Sequence, residues 1–211
     1  MHAIALDFDG TLISPRNKHI QLMIAICKSH GIYLSNEQIN YLWDEKRSGS
    51  NNAHALRKLH VAEDILVRVC RTWVELVETK YWSDYDKLYE QSLDFLHKSS
   101  KNYNLYLITA RSNRITLEQQ LNRFGINGFF QNYYVVDPKF ASEEKSKILK
   151  KLKPSFFIGD TESDFKAALS SDVEFIGLDT GMRDELFLKK CGVENIFSDL
   201  NTVFEYIKVV N

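Results

Sequence analysis

Ala3-Ile4-Ala5-Leu6-Asp7-Phe8-Asp9-Gly10-Thr11 is a short apolar run that ends abruptly in two acids, a glycine and a threonine. The run has the make-up of a buried strand, and the break after Leu6 marks a turn. One residue separates Asp7 from Asp9, so an extended backbone projects both carboxylates to one side and sends Phe8 into the core. At the carboxyl end of the first strand of a parallel sheet, the pair stands where ligands bind in doubly wound folds. A solvated acidic turn is the plainer alternative. Against it, D-x-D-G-T arises by chance in a chain of this length only about twice in a thousand at average residue usage.

Similar apolar runs recur at Leu105-Tyr106-Leu107-Ile108, Tyr133-Tyr134-Val135-Val136, Phe156-Phe157-Ile158 and Val173-Glu174-Phe175-Ile176, each bounded by turn formers or a charge. Between them lie helical patterns over Ser112–Phe124, stopped by Gly125, and over Ser142–Leu152, with Glu143 and Glu144 in its first turn. This alternation from about residue 100 to 178 predicts an α/β fold with a doubly wound parallel sheet. The stretch 15–82 has no convincing strand. Four amphipathic helix patterns follow one another there: Ile20–His30, a helix capped by the Ser35/Gln38 box, Asn51–Leu59 and Ile65–Val77. The predicted organisation is a split core, 1–14 and 83–211, with a small all-α insert over 15–82. Trp43, Trp73, Tyr81 and Trp82 are read as packing within that insert. From Asp179 onward, including Met182-Arg183-Asp184-Glu185-Leu186, a last helix should pack beside the sheet after Val193–Phe197 approaches its edge.

The 211 residues are 44% hydrophobic and 26% charged, with 9 Gly and 3 Pro, a globular composition that excludes intrinsic disorder and collagen-like repeats. A net charge of −1 gives no global field toward nucleic acid or an anionic membrane, so neither is expected as a partner. Any anion site must be local. Cys27, Cys70 and Cys191 lack metal or redox spacing and read as free thiols. The six histidines show no H-x-x-x-H spacing and receive no catalytic role. With neither a signal-like segment nor a run of about 20 apolar residues, a cytoplasmic protein is the expectation.

Gly159-Asp160-Thr161-Glu162-Ser163-Asp164 follows the strand at Phe156–Ile158 and brings two more acids to an equivalent strand end. Four converging carboxylates repel one another, and a hard divalent cation with oxygen ligands is the natural remedy, magnesium first. Thr109-Ala110-Arg111-Ser112 ends another strand and opens a helix, a placement whose hydroxyls and free N–H groups suit a phosphate.

On these residues the sequence resembles the haloacid dehalogenase superfamily of phosphohydrolases. The first motif matches Asp7-Phe8-Asp9-Gly10-Thr11-Leu12, the second Thr109, and the fourth Gly159-Asp160 with Asp164. The third is a lysine, best matched by Lys145 in Glu144-Lys145-Ser146-Lys147, with Lys147 and Lys139 as rivals. The resemblance implies a Rossmann-like core, with the insert as a helical cap closing over the active site. It implies a Mg2+-dependent phosphatase that hydrolyses a small phosphorylated metabolite through an aspartyl phosphate on Asp7. The metal would be held by the Asp7 carboxylate, the Asp9 backbone carbonyl, Asp160 and Asp164. Thr109, the backbone near Ala110 and Lys145 would hold the phosphoryl group. Asp9 would act as general acid and then base, a role calling for its pKa to be raised by negative neighbours. In the loop Lys46-Arg47-Ser48-Gly49-Ser50, Arg47 is the candidate for gripping a second anionic group, with Arg111 an outside one. An acid at Asp9 speaks against halide displacement within the family. A phosphomutase and a phosphometabolite-binding protein without turnover remain the alternatives, and the oligomeric state is not readable.

Overall fold

In the computed structural model, which describes residues 2–210, strand β1 (His2–Leu6) sends Ile4 and Leu6 into one apolar cluster and Ala5 into another on the opposite face. A central strand must be buried on both faces in this way. The chain then turns, and Phe8, fully buried, rejoins the first cluster, a burial that contributes roughly 1.5–3 kcal/mol. After β2 (Ile13–Ser14) come five helices, α1 (Arg16–Ser29), α2 (Asn36–Arg47), α3 (Asn52–Lys58), α4 (Glu63–Leu76) and α5 (Lys80–Ser83). β3 (Lys87–Leu88) then pairs antiparallel with β2, Ile13 opposite Leu88, so a two-stranded ribbon brackets the helical segment. Beyond it run α6 (Ser92–Ser99), β4 (Tyr103–Ala110), α7 (Arg114–Arg123), β5 (Phe130–Val136) and α8 (Ala141–Leu152). β6 (Phe156–Gly159), α9 (Glu162–Leu169), β7 (Glu174–Leu178), α10 (Glu185–Lys190), β8 (Ile196–Phe197) and α11 (Leu200–Val210) complete the chain.

The main sheet has six parallel strands in the order β5-β4-β1-β6-β7-β8. Apolar residues of α6, α7 and α11 cover the face that holds Phe8, and those of α8, α9 and α10 cover the other. This is the doubly wound α/β core expected from the sequence. From β1 the chain moves outward through β4 to β5, then returns to β6 on the other side of β1. The strand order therefore reverses beside β1, where a crevice opens beyond the carboxyl ends of the strands. Asp7, Thr109 and Asp160 stand at or just past those ends.

The expected strands are all present, with β5 longer than its apolar run. It starts at Phe130 because an edge strand leaves Gln131 and Asn132 exposed, and an apolar pattern registers only the buried half. The helical segment has its own core, built on Leu22, Ile26, Leu56, Val69 and Trp73. Ser35 and Gln38 form the expected capping box, a cap worth about 1 kcal/mol. Trp43 and Trp73 are buried and Trp82 packs against the same cluster, as anticipated, but Tyr81 is exposed and meets the rings of Trp82 and Tyr85 at the surface. Cys27, Cys70 and Cys191 are free thiols. Among the described residues, no helix is long and apolar enough to cross a membrane.

Candidate active site

Asp7 follows the last residue of β1 and is fixed by its own N–H, which donates to the Ile158 carbonyl of β6 at 2.8 Å. Across the crevice, Lys145 comes from the first half of α8 and is 2% exposed. Its Nζ donates to Asp7 Oδ1 and to Asp164 Oδ1, both at 2.6 Å. Asp164 is held by its place as N3 of α9: its Oδ2 accepts from the Thr161 hydroxyl at 2.6 Å and the Thr161 N–H at 3.2 Å, a capping box. Asp160, fully buried after β6, accepts from the Met182 N–H at 2.6 Å and lies 3.5 Å from the Thr11 hydroxyl. Gly10, at φ +92°, and Gly181 face this carboxylate; a Cβ at either would overlap it.

Asp7, Asp160 and Asp164 offer oxygens that lie within 4.8 Å of one another, against the single ammonium of Lys145. Burial lifts Asp7 to about 7 against the pull of Lys145, and Asp164 adds to the rise. Asp160 is raised well above the usual carboxylate range, by burial first and then by Asp7 and Asp164. Lys145 is held protonated because its two carboxylates outweigh the effect of burial. An excess of buried negative charge on oxygen donors is what a hard divalent cation would balance, so the residues fit such an ion.

Asp9 lines the same cleft as Asp7, and Phe8 between them enters the core with Ile4 and Leu6, as the alternation predicts, but the Asp9 carboxylate does not converge with the clustered oxygens of Asp7, Asp160 and Asp164. Arg111 grips it with two hydrogen bonds instead, at 2.6 and 2.7 Å, and Lys18 of α1 stands 3.6 Å away. Burial pushes the acid up, but Arg111 and Lys18 outweigh it and hold Asp9 far below the usual carboxylate range. A pKa raised by negative neighbours, as expected, is therefore not found: the nearest charges are cations. Lys18 also donates to Asp86 at 2.8 Å, and Gln120 ties Asp86 to Arg111. Arg111 lies over the Phe8 ring, 5.0 Å from its centroid.

Thr109, 1% exposed, and Ala110 line a cleft of about 250 Å³ together with Asp7, Lys145 and Asp164. Lys147 pairs with Glu143 at the surface, and Lys139 is exposed; neither reaches this cleft, whereas Lys145 does. Arg47 does not line it either. Its guanidinium donates to the Asp179 carbonyl, which fixes the turn after α2 to the end of β7. Arg183 occupies the cleft wall instead: it grips Glu162 at 2.7 and 2.9 Å and donates to the Lys46 carbonyl at 2.8 Å. Arg183, Met182, Lys18 and Asp86 went unrecognised in the sequence. Arg183 and Met182 lie in a segment read as packing alone, where Gly181 after a strand was the one available signal. Lys18 and Asp86 carried none, being an ordinary lysine and aspartate in sequence.

No curated protein matches the chain. Among solved structures, a haloacid dehalogenase-like family hydrolase from Streptococcus pneumoniae aligns with a TM-score of 0.77 at 18% identity, covering 98% of each chain. A protein from Clostridium difficile, provisionally designated a phosphatase, also aligns at 0.77, with 16% identity over 97% of each chain. A protein from Lactobacillus delbrueckii, provisionally designated a phosphoglycolate phosphatase, aligns at 0.70 with 18% identity, over 98% of this chain and 99% of that one. At such identities these likenesses establish the fold. The sequence profile of haloacid dehalogenase-like hydrolases matches residues 4–178, a span that holds the end of β1 with Asp7, the helical segment, and Thr109, Asp160 and Asp164. The chain belongs to the haloacid dehalogenase-like hydrolases.

Proposed function

We propose that this hydrolase is a Mg2+-dependent phosphatase acting on small phosphomonoesters, with Asp7 as nucleophile. The observation that carries the reading is the bridge of Lys145 between Asp7 and Asp164, with Asp160 in the same cluster and Thr109 lining the same cleft. Asp7 attacks phosphorus, the ester oxygen leaves, and water then hydrolyses the aspartyl phosphate, two easier steps in place of one. Thr109 and the backbone around Ala110 hold the phosphoryl oxygens, and Lys145 opposes the charge that gathers on them. Asp7, Asp160, Asp164 and the Asp9 carbonyl would hold Mg2+, which when bound supplies positive charge toward the same oxygens. Without such cations, bringing a carboxylate to about 4 Å from one phosphate charge costs roughly 4 kcal/mol at an effective dielectric near 20. The helical segment, about 15–82, serves as a cap that limits water and substrate size.

Asp9 donates a proton to the leaving oxygen and later takes one from the attacking water. A carboxylate held so low is poorly matched to either transfer, so Arg111 and Lys18 must loosen their hold once substrate occupies the cleft. The same pairing is the one observation favouring a second reading, a phosphometabolite-binding protein without turnover. Phosphate release from a panel of small phosphomonoesters, with Mg2+ and with EDTA, decides between them. Metal-dependent release supports the phosphatase; tight binding of an ester without release supports the second reading.

A further inference from the structure

Asp86 immediately precedes β3, where the helical segment rejoins the core, and its side chain is fully buried. Its Oδ2 accepts from Lys18 Nζ at 2.8 Å and from Gln120 Nε2 at 2.9 Å, and Arg111 Nη2 stands 4.0 Å from the same oxygen. Its Oδ1 is buried with no hydrogen-bond partner, although a carboxylate oxygen can accept two. The same two cations serve Asp9, Arg111 through bonds of 2.6 and 2.7 Å and Lys18 at 3.6 Å. Two acids thus share two cations. The side chains of Lys18, Arg111 and Asp86 are at most 4% exposed, and Asp9, at 20%, is the member that opens to the cleft.

Asp86 is anchored on the core side. Its N–H donates to the Ser83 carbonyl at 3.2 Å, and its own carbonyl accepts from Arg123 of α7 at 3.2 Å. Gln120, also of α7, links it to Arg111, whose guanidinium donates to Gln120 Oε1. Lys18 reaches the cluster from the opposite side, from the first turn of α1 in the helical segment. A shift of about 1 Å would carry Arg111 Nη2 from 4.0 Å to hydrogen-bonding distance of Asp86. Such a transfer keeps both cations paired, whereas releasing Asp9 without a second acceptor would strand a buried guanidinium.

We propose that Asp86 is a positioning residue for Asp9: as a phosphomonoester enters the cleft, Arg111 and Lys18 pass from Asp9 to Asp86, whose unpartnered Oδ1 takes the added hydrogen bond, and the Asp9 carboxyl turns to the leaving oxygen. This rests on the phosphatase reading above. Asp86 touches neither substrate nor reacting atoms and acts through the two cations. With both its oxygens accepting from a guanidinium, Asp9 is poorly placed to carry a proton to the substrate. A trapped water would satisfy Oδ1, and the Ser83 hydroxyl that is buried unpartnered three residues earlier, but would give the cations no acceptor when Asp9 is needed.

Asp86→Asn keeps the size of the side chain and removes the charge that receives the cations, so Asp9 should stay gripped. On the full-length protein with Mg2+, phenyl phosphate, whose leaving oxygen needs a proton, is compared with p-nitrophenyl phosphate, whose phenolate departs without one. The readout is kcat/KM, which covers the steps up to departure of the leaving group. In Asp86→Asn the loss for phenyl phosphate should exceed that for p-nitrophenyl phosphate by at least about tenfold, part of the roughly 100- to 10,000-fold that general acid catalysis contributes. Asp86→Glu, which keeps the charge, should bring that excess below about threefold. Equal losses on both esters, the mark of a merely structural role, or an excess that Asp86→Glu fails to reduce, overturn the proposal. A structure of the wild type with Mg2+ and inorganic phosphate bound in the cleft reads the transfer itself and serves where Asp86→Asn fails to fold. Arg111 should then lie within hydrogen-bonding distance of Asp86 and no longer bond both Asp9 oxygens; an intact Arg111–Asp9 pair beside the bound phosphate overturns the proposal. Should neither ester be turned over, the phosphatase reading fails separately, and this structure alone decides the transfer.

Discussion

Replacing Lys145 with Ala removes the one cation that stands between Asp7 and Asp164, each 2.6 Å from its Nζ. The ammonium is buried, so the two carboxylates lose a partner that water cannot replace. Breaking a buried pair from one side typically costs about 3–5 kcal/mol, which in a chain of this size lowers the melting temperature by roughly 6–20 °C. Part of the loss is recovered by protonation: Asp7 already titrates near about 7, and without Lys145 it moves higher. The metal-free variant should therefore be destabilised more at pH 8 than at pH 5. In catalysis, losing one donor to the developing phosphoryl charge is worth roughly 2.7–4 kcal/mol, or about 100- to 1,000-fold in kcat. Lys147→Ala and Lys139→Ala, both at exposed positions, should stay within about twofold of wild type. The assay is p-nitrophenyl phosphate hydrolysis, beside thermal melts at both pH values. A Lys145→Ala enzyme within about tenfold of wild type, or a comparable loss in Lys147→Ala, would show that the motif lysine is elsewhere.

Arg111→Met should raise the pKa of Asp9, since Arg111 is the strongest of the influences that hold it down; the limb of the pH–rate profile belonging to Asp9 then moves to higher pH, and an unchanged profile contradicts the pairing. Asp7 binds a proton in the folded protein over the interval between 3.8 and about 7 in which the unfolded chain releases it. Metal-free stability should therefore fall as pH rises through that window, by about 1.4 kcal/mol per pH unit, and melts in EDTA from pH 5 to 8 should show the decline, which a flat or rising curve excludes. Asp160→Asn removes one of three crowded acids, so without metal at pH 8 its melting temperature should equal or exceed that of wild type. Its stabilisation by Mg2+ should disappear, and a normal Mg2+ response would remove Asp160 from the ligand set.

The core was legible because each buried strand announces itself: Leu105–Ile108 and Phe156–Ile158 are short apolar runs that stop at a threonine or a glycine and an acid, and the helices between them end at recognisable signals such as Gly125. Lys145 could be narrowed to three candidates, with Lys147 and Lys139, only through the resemblance to the family's third motif, a lysine near a helix start ahead of the fourth. The partner of Asp9 could not be read. Arg111 lies 102 positions away, and nothing local distinguishes an arginine that turns inward onto Phe8 and Asp9 from one that points to solvent. Lys18, Asp86 and Arg183 were hidden for the same reason, since their significance arises only when the helical segment lies against the sheet. Arg47 shows the converse. The turn after α2 does reach the core, but Arg47 bonds the Asp179 carbonyl there, and its neighbour Lys46 is left without a carboxylate.

The nucleophile is best tested by acid-quenching the enzyme during turnover of a phosphomonoester with Mg2+, reducing it with borohydride and mapping the modified peptide by mass spectrometry. Reduction of an aspartyl phosphate converts the residue to homoserine, and the change should appear at position 7 and be absent in Asp7→Asn, which should also release no phosphate. Modification at Asp9 instead, or phosphate release by Asp7→Asn above about a tenth of the wild-type rate, would contradict the role assigned to Asp7.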